Sequence, residues 1–326
     1  MKALILIGGE GTRLRPLTVN TLKCMVPIAN RPFIEYQINL LKKYGIKDIV
    51  LSVCHMPEKV KKALGSGKKY GVRLKYADEK SPLGTGGAIK NCEAMLDDTT
   101  IVMNGDVLTD IKIDALVKAH RTSKAMITLA LHEVEDPSSF GLVETGAKGR
   151  VVKFTEKPAG NEIKSGWINA GMYVFDKKAM DYIPAGRNVS IERETFPAII
   201  ALGRLIQSYK AEYYWLDIGR IEKYLEANFD AAEGRFSGVK VNKRGKNCKV
   251  GKSIIDSRSV LGNSVKIGNG VLIENSVILD DTVIKDGSII KNSVICRGCV
   301  INENCTIINA ALGDGSILTK YTKHGA

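Results

Sequence analysis

The sequence predicts an α/β protein in two parts, a mixed sheet flanked by helices and then a parallel β-helix. Two observations carry this. Over residues 1–233 short aliphatic runs alternate with amphipathic stretches, the rhythm of a largely parallel sheet covered on both faces. Over residues 250–326 a small residue followed by an aliphatic one recurs every five or six positions, the signature of a parallel β-helix.

The elements follow in order. Ala3 to Ile7 is continuously apolar, as a strand buried on both faces should be. Pro32 opens a helical pattern with Ile34, Ile38 and Leu41 on one face. Further strands are predicted at 48–53, 72–76 and 100–103, with helices at 58–64 and 88–96 between them. From Ala125 the rhythm changes. Met126, Thr128, Ala130 and His132 alternate with Ile127, Leu129 and Leu131, which predicts a strand with unlike faces. Strands at 141–144 and 151–155 continue the sheet as a mixed one. A last helix is predicted over 220–233, with Ile221, Leu225 and Phe229 on one stripe.

Residues 234–249 read as a solvated basic linker. Lys240, Lys243, Arg244, Lys246 and Lys249 crowd it with no acid between them. The repeat then places small residues at Ser253, Ser259, Ser264, Gly270, Ser276, Thr282, Ser288, Ser293, Cys299, Cys305, Ala310 and Ser316. Of the eleven spacings, eight are six residues and three are five. Twelve such repeats make about four triangular coils, with small side chains where larger ones would clash.

Composition narrows the function. With 44% hydrophobic and 25% charged residues, wholesale disorder is excluded. The 48 Lys and Arg against 35 Asp and Glu leave a net charge of +13, which points to a polyanionic ligand. Aromatics are only 6%, and the aromatic stretches of a single-strand binder are missing, so phosphorylated small molecules are expected rather than nucleic acid. No apolar run approaches the roughly 20 residues of a membrane span, and no membrane partner is expected. Seven cysteines without framework spacing predict reduced thiols and a cytoplasmic protein. Cys296-Arg297-Gly298-Cys299 has the CxxC form, but no second pair completes a zinc site.

The strongest chemical feature follows the first strand: Gly8-Gly9-Glu10-Gly11-Thr12-Arg13-Leu14-Arg15-Pro16-Leu17-Thr18. A glycine-rich turn after a buried strand can wrap backbone N–H groups around phosphate oxygens, and arginine supplies fixed cationic forks. The Walker pattern is absent, as is a clean GxGxxG.

This run resembles the signature of the sugar-1-phosphate nucleotidylyltransferases, and other segments match that family in order. Thr21-Leu22-Lys23-Cys24-Met25-Val26-Pro27 is similar to its lysine segment, with Leu22 and Cys24 in place of two prolines. Glu79-Lys80-Ser81-Pro82-Leu83-Gly84-Thr85-Gly86-Gly87 resembles its base-recognition loop, and Asn104-Gly105-Asp106 its metal-binding turn. Phe154-Thr155-Glu156-Lys157-Pro158 resembles its sugar-phosphate segment, Ile168-Asn169-Ala170-Gly171 its sugar pocket, and Trp215-Leu216-Asp217-Ile218-Gly219 its second metal motif. Val134–Gly141 and Ser190–Glu194 are closest to the mannose-1-phosphate guanylyltransferase branch. The resemblance covers residues 1–225 or so. It implies a Rossmann-like sheet, and the tail matches the left-handed β-helix that many members carry.

The resemblance also implies roles. Arg13 and Lys23 would be catalytic, Arg13 on the departing pyrophosphate and Lys23 near the α-phosphate. Gly8, Gly9, Gly11, Thr12, Glu79, Leu83, Gly84 and Thr85 would bind the nucleotide. Gly141, Glu156, Lys157 and Asn169 would bind the sugar phosphate, and Asp106 and Asp217 would hold Mg²⁺. A nucleoside triphosphate and a sugar 1-phosphate would be the substrates, GTP and mannose 1-phosphate foremost. Glu79 favours guanine, because a carboxylate only accepts and guanine offers two adjacent donors.

The chemistry suits a chain with four histidines and no His-containing triad, since a phosphate nucleophile is already ionised at neutral pH. Alternatives are a glucose-1-phosphate thymidylyl- or uridylyltransferase and a non-catalytic nucleotide-sugar-binding subunit. An acetylating β-helix is disfavoured because residues 250–323 contain no histidine. The β-helix is therefore expected to mediate homo-oligomer assembly.

Overall fold

The computed structural model describes residues 1–158, 166–236, 239 and 241–325. The chain forms two compact units. One is Met1–Gly9 with Gln37–Trp215; the other is Glu10–Tyr36 with Leu216–Ala326.

The first unit is built on a nine-stranded mixed sheet. Its strands are β1 (Lys2–Leu6), β2 (Asp48–Val53), β3 (Arg73–Asp78), β4 (Thr99–Asn104), β5 (Ile127–Val134), β6 (Gly141–Thr145), β7 (Val151–Glu156), β8 (Gly166–Asp176) and β9 (Ile206–Lys210). Strands β4, β1, β2 and β3 are parallel neighbours, with Leu4 opposite both Val50 and Val102. The sheet becomes mixed at β8, which runs antiparallel to β4 and to β5. The predicted alternation therefore holds. The long β8 escaped the sequence reading because its apolar run is interrupted by Asn169 and Gly171. Between Asn169 and Tyr173 its register with β5 slips, and Gly171 sits at φ +70°.

Two expectations are corrected here. Strand β5 was expected to have unlike faces, yet Ile127 to Leu131 are all buried. Helix α4 (Ile113–Ser123) packs on it, and His120 Nδ1 lies 2.9 Å from Thr128 Oγ1. The polar alternate is thus a buried, paired threonine rather than a solvated one. The helix expected at 88–96 begins earlier, as α3 (Gly84–Asn91), and ends in a 3₁₀ turn at Glu93–Met95. Glycine disfavours helix by about 1 kcal/mol per residue. Close packing overrides this, because a Cβ on Gly86 or Gly87 would come within 2.9 Å of Val189 Cγ1 or 2.7 Å of Arg187 O. The other helices lie near their predicted positions: α1 (Phe33–Lys43), α2 (Pro57–Leu64) and α6 (Ile221–Glu233). Helix α5 (Phe196–Ala201) is short.

The second unit contains the coils. Short parallel strands stack in three sheets, of five, five and four strands, forming the left-handed β-helix. Equivalent strands such as Val260–Leu261, Val277–Ile278 and Val294–Ile295 recur every 17 residues, two steps of six and one of five. The buried small column is Ser259, Ser276 and Ser293, and each hydroxyl accepts the N–H one coil further on at 3.1 Å. In the early coils the expected small positions Ser264 and Gly270 are displaced by one. Val265 and Val271 point inward instead, because the 17-residue register stacks them with the buried Thr282 and Ser288 of the next coil.

The stretch expected as a solvated linker is shorter than 234–249. Gly245 N already donates to Leu261 O at 2.8 Å, and Lys249–Val250 pairs with Lys266–Ile267. Its basic residues already belong to the first coil: Arg244 bridges to Leu261, Lys246 sits in a turn and Lys249 opens a strand. Lys240 lies outside the described residues. Among the described residues no helix is long and apolar enough to cross a membrane.

Candidate active site

In the first unit Gly8, Glu79 and Asp106 follow the carboxyl ends of the parallel strands β1, β3 and β4, where open α/β sheets bind ligands, whereas Gly141, Glu156 and Asn169 lie on the antiparallel strands β6, β7 and β8. Gly8 follows β1. A Cβ built on it would lie 3.3 Å from Cys54 Cβ and 3.7 Å from Glu79 Oε1, so bare backbone passes directly beside the Glu79 carboxylate. Gly9 lies at the open rim, with nothing within 4 Å of its Cβ position.

Glu79, at the exit of β3, is 9% exposed and does not point to solvent. Ser52 Oγ donates to its Oε1 at 2.9 Å, and Leu83 N donates to its Oε2 at 3.1 Å. The carboxylate thus ties β2 to the loop that opens α3, and each oxygen keeps acceptor capacity. Gly84, at φ +68°, turns the chain into the helix. Thr85 Oγ1 donates to Glu192 Oε2 at 2.6 Å and accepts from Ile191 N at 3.0 Å.

The turn after β4 carries Asn104-Gly105-Asp106. Gln37, 2% exposed, clamps it by donating from Nε2 to Asn104 O at 2.8 Å and Val107 O at 3.0 Å. Asn104 Oδ1 is buried with no hydrogen-bond partner among the described residues, beside the tight Gly171 of β8. A bulge that re-aims side chains is typical beside a site. Here Asn169 Nδ2 donates to Tyr173 OH at 2.8 Å, and Asn169 Oδ1 accepts from Gly171 N at 3.1 Å.

Glu156 ends β7 against Gly141, whose Cβ would lie 3.0 Å from Glu156 Oε2. Burial pushes the Glu156 carboxyl up, and the Glu192 charge adds to this. The next residue, Lys157, is exposed and adopts φ +49°, held by its N–H to Phe140 O at 3.0 Å. A left-handed lysine is strained by on the order of 1–3 kcal/mol, and such outliers concentrate at functional sites.

The second unit carries the remainder. Gly11, at φ +69°, accepts from Leu14 N at 2.9 Å and from Thr18 Oγ1 at 2.7 Å, which closes the turn holding Thr12 and Arg13. Its Cβ would lie 3.2 Å from Lys23 Cβ, so the turn and the lysine segment are packed backbone to stem. Lys23 opens a 3₁₀ turn, Lys23–Met25, closed by Met25 N to Leu22 O at 2.8 Å without prolines. Asp217 and Arg13 flank Gly219. A Cβ there would lie 3.2 Å from Asp217 Oδ2 and 3.5 Å from Arg13 Nη2.

With this geometry in view, the comparisons with known proteins decide the family. "Nucleotidyl transferase" matches residues 2–234, and "GMPPB C-terminal domain" matches residues 242–323. The chain belongs to the nucleotidyl transferase family.

Two relatives in this family differ in their named activities. A mannose-1-phosphate guanylyltransferase of Mycobacterium tuberculosis is 41% identical over 234 residues, covering 71% of this chain and 65% of that protein. A UTP–glucose-1-phosphate uridylyltransferase of Synechocystis sp. is 34% identical over 241 residues, covering 70% of this chain and 62% of that protein. The matched part thus spans a little under two thirds of each relative's length. The solved structure of a putative glucose-1-phosphate thymidylyltransferase from Bacillus anthracis has a TM-score of 0.65 at 29% identity, over 74% of this chain and 98% of that one.

Two features of this candidate site escaped the sequence reading. Glu192 bonds Thr85 and Ser190 Oγ, the latter at 2.7 Å; its segment stood out in the sequence, but nothing there marked its partners. An aromatic group also borders the Asn169 bulge. His132 stacks on Trp215 at 5.2 Å, Phe140 meets Trp215 edge-on at 5.4 Å, and Trp215 Nε1 donates to Ala170 O at 2.9 Å. The motif at Trp215 was read for its aspartate only.

Proposed function

We propose that this chain transfers a nucleoside monophosphate from GTP to mannose 1-phosphate, giving the nucleotide-sugar and pyrophosphate. The observation that carries the reading is the Glu79 carboxylate beside the bare backbone of Gly8, an acceptor-only group next to a phosphate-binding turn. Guanine's N1–H and amino group are adjacent donors that such a carboxylate can bridge. Uracil and thymine place acceptors on both sides of their single N–H.

The loop from Leu83 to Thr85 covers the base, and Gly8, Gly9, Gly11 and Thr12 offer N–H groups to the phosphates. The sugar phosphate approaches Lys157, with Asn169, Glu156 and Gly141 on the sugar. Its ionised phosphate oxygen attacks the α-phosphorus in line, so no side chain needs to take a proton. Lys23 steadies the α-phosphate, and Arg13 gains strength as charge develops on pyrophosphate.

Mg²⁺ fits the donor set. Asp106 and Asp217, each in a motif that resembles a metal-binding one, are hard oxygen ligands. That suits an ion that takes one or two carboxylates and leaves the rest of its shell to phosphate and water. When bound, it supplies charge neutralisation at the reacting phosphates.

All seven cysteines are free thiols, which supports a cytoplasmic setting. The β-helix is taken to mediate homo-oligomer assembly, which light scattering of the full chain checks. The test of function is a panel of four nucleoside triphosphates crossed with several sugar 1-phosphates, read as nucleotide-sugar formed. GTP with mannose 1-phosphate should lead. Preference for UTP or dTTP would transfer the reading to the uridylyl or thymidylyl alternative, and inactivity with every pair to the binding-subunit one.

A further inference from the structure

The coils of the second unit hold the segment between Arg13 and Lys23. Arg297 Nη1 donates to Thr21 Oγ1 at 2.7 Å, and Asn20 Nδ2 donates to Asp314 Oδ2 at 3.2 Å. Pro16 rests on the coil, with its Cβ 3.3 Å from the Cβ position of Gly313. Residues 16, 20 and 21 thus meet consecutive turns of the β-helix. Thr18, between them, closes on Gly11.

Arg297 also breaks a local rule. At one corner of the coils an Asn or Asp oxygen accepts the N–H of the residue 17 positions back. Lys246 N donates to Asn263 Oδ1 at 2.9 Å, Asn263 N to Asp280 Oδ1 at 2.7 Å, and Arg297 N to Asp314 Oδ1 at 3.0 Å. Position 297 is the rung where this series should present an acceptor to Asp280 N. An arginine side chain has no acceptor, so the ladder is given up there. Local inconsistency of this kind belongs to positions with another task. Here the guanidinium leaves the ladder and reaches the signature loop.

We propose that Arg297 is a positioning residue for transfer: through Thr21 it holds the loop that aims Arg13 and Lys23. The β-helix is then part of the catalytic apparatus as well as an assembly element. The inference rests on the proposed function for its kinetic consequence, but not for its structural one.

The decisive variant is Arg297→Asn, which removes the guanidinium and restores an acceptor to the ladder. It should keep or raise Tm while lowering kcat about tenfold, the size of one charge-assisted bond lost from a loop. KM for the sugar phosphate should stay within about twofold, because the loop acts on the triphosphate side. Thr21→Val should give the same kcat loss, Thr21→Ser should restore wild-type turnover, and Thr21→Val combined with Arg297→Asn should cost no more than either alone.

Trypsin cleavage after Arg13 gives a readout independent of activity, and it should be faster in Arg297→Asn and Thr21→Val than in wild type. Unchanged kcat with unchanged cleavage would overturn the proposal, as would a kcat loss that tracks a fall in Tm. If wild type is inactive with every substrate pair, the functional reading fails, and cleavage alone decides whether Arg297 holds the loop.

Discussion

Replacing Glu79 by glutamine tests how the base is chosen. The carboxylate accepts from Ser52 Oγ at 2.9 Å and Leu83 N at 3.1 Å while lying beside Gly8. Glutamine can keep both neighbours. Its oxygen accepts from Leu83 N, and its amide donates to the Ser52 hydroxyl, which rotates to accept. The loop therefore survives, and the change falls on the ligand. One of the two acceptors that would face guanine becomes a donor. It then opposes the guanine amino group and matches a pyrimidine O4. Each buried mismatch of this kind costs about 1–3 kcal/mol. The ratio of GTP to dTTP use should fall roughly ten- to a hundredfold. Competition with both triphosphates in one tube measures it directly. Ser52→Ala is the control, since it alters the support of Glu79 but not its charge and should leave the ratio unchanged. An unchanged ratio in the glutamine variant would refute the argument and assign base reading to the loop backbone around Leu83 and Gly84.

Asp106→Asn and Asp217→Asn should each abolish most turnover with the circular dichroism spectrum unchanged, and EDTA should do the same to the unaltered chain; activity of either variant in chelator would remove the two-carboxylate metal. Arg13→Ala should lower kcat by a factor equivalent to roughly 3–4 kcal/mol with little change in KM for the sugar phosphate; a pure KM effect, measured by initial rates, would place Arg13 on the wrong substrate. His120, buried against Thr128, is held below its ordinary value of 6.5 by burial. Its stabilising effect is present above pH 6.5 and is lost as pH falls through the lower folded value, so Tm should drop between pH 7 and pH 5. His120→Gln should flatten that drop.

Much of this was legible because the residues concerned state their physics locally. Ala3 to Ile5 have no polar face, so β1 had to be buried on both sides. The five- and six-residue spacings already contained the 17-residue coil, since its three sides need that many residues. What failed locally was settled by partners distant in sequence. Thr128 looks polar until His120 arrives from α4, and Gly86 looks like a helix breaker until Val189 packs where its Cβ would be.

The site divides along the same line. Motif order placed Glu79 at the base loop, but no pattern in 79–87 says that its carboxylate ties Ser52 to Leu83, because those bonds span two strand ends and a loop. The grouping of Glu10–Tyr36 with the coils was equally hidden. Thr21 and Arg297 are 276 positions apart, and neither is unusual by itself. The one local sign was Arg297 standing in a series of Asn and Asp. That sign becomes readable only once the 17-residue period is known, because Asn263, Asp280, Arg297 and Asp314 then fall on one corner. A repeat therefore does more than reveal an architecture. It supplies an internal standard for every rung, and a residue that departs from it at the cost of a ladder bond marks a contact made outside the repeat.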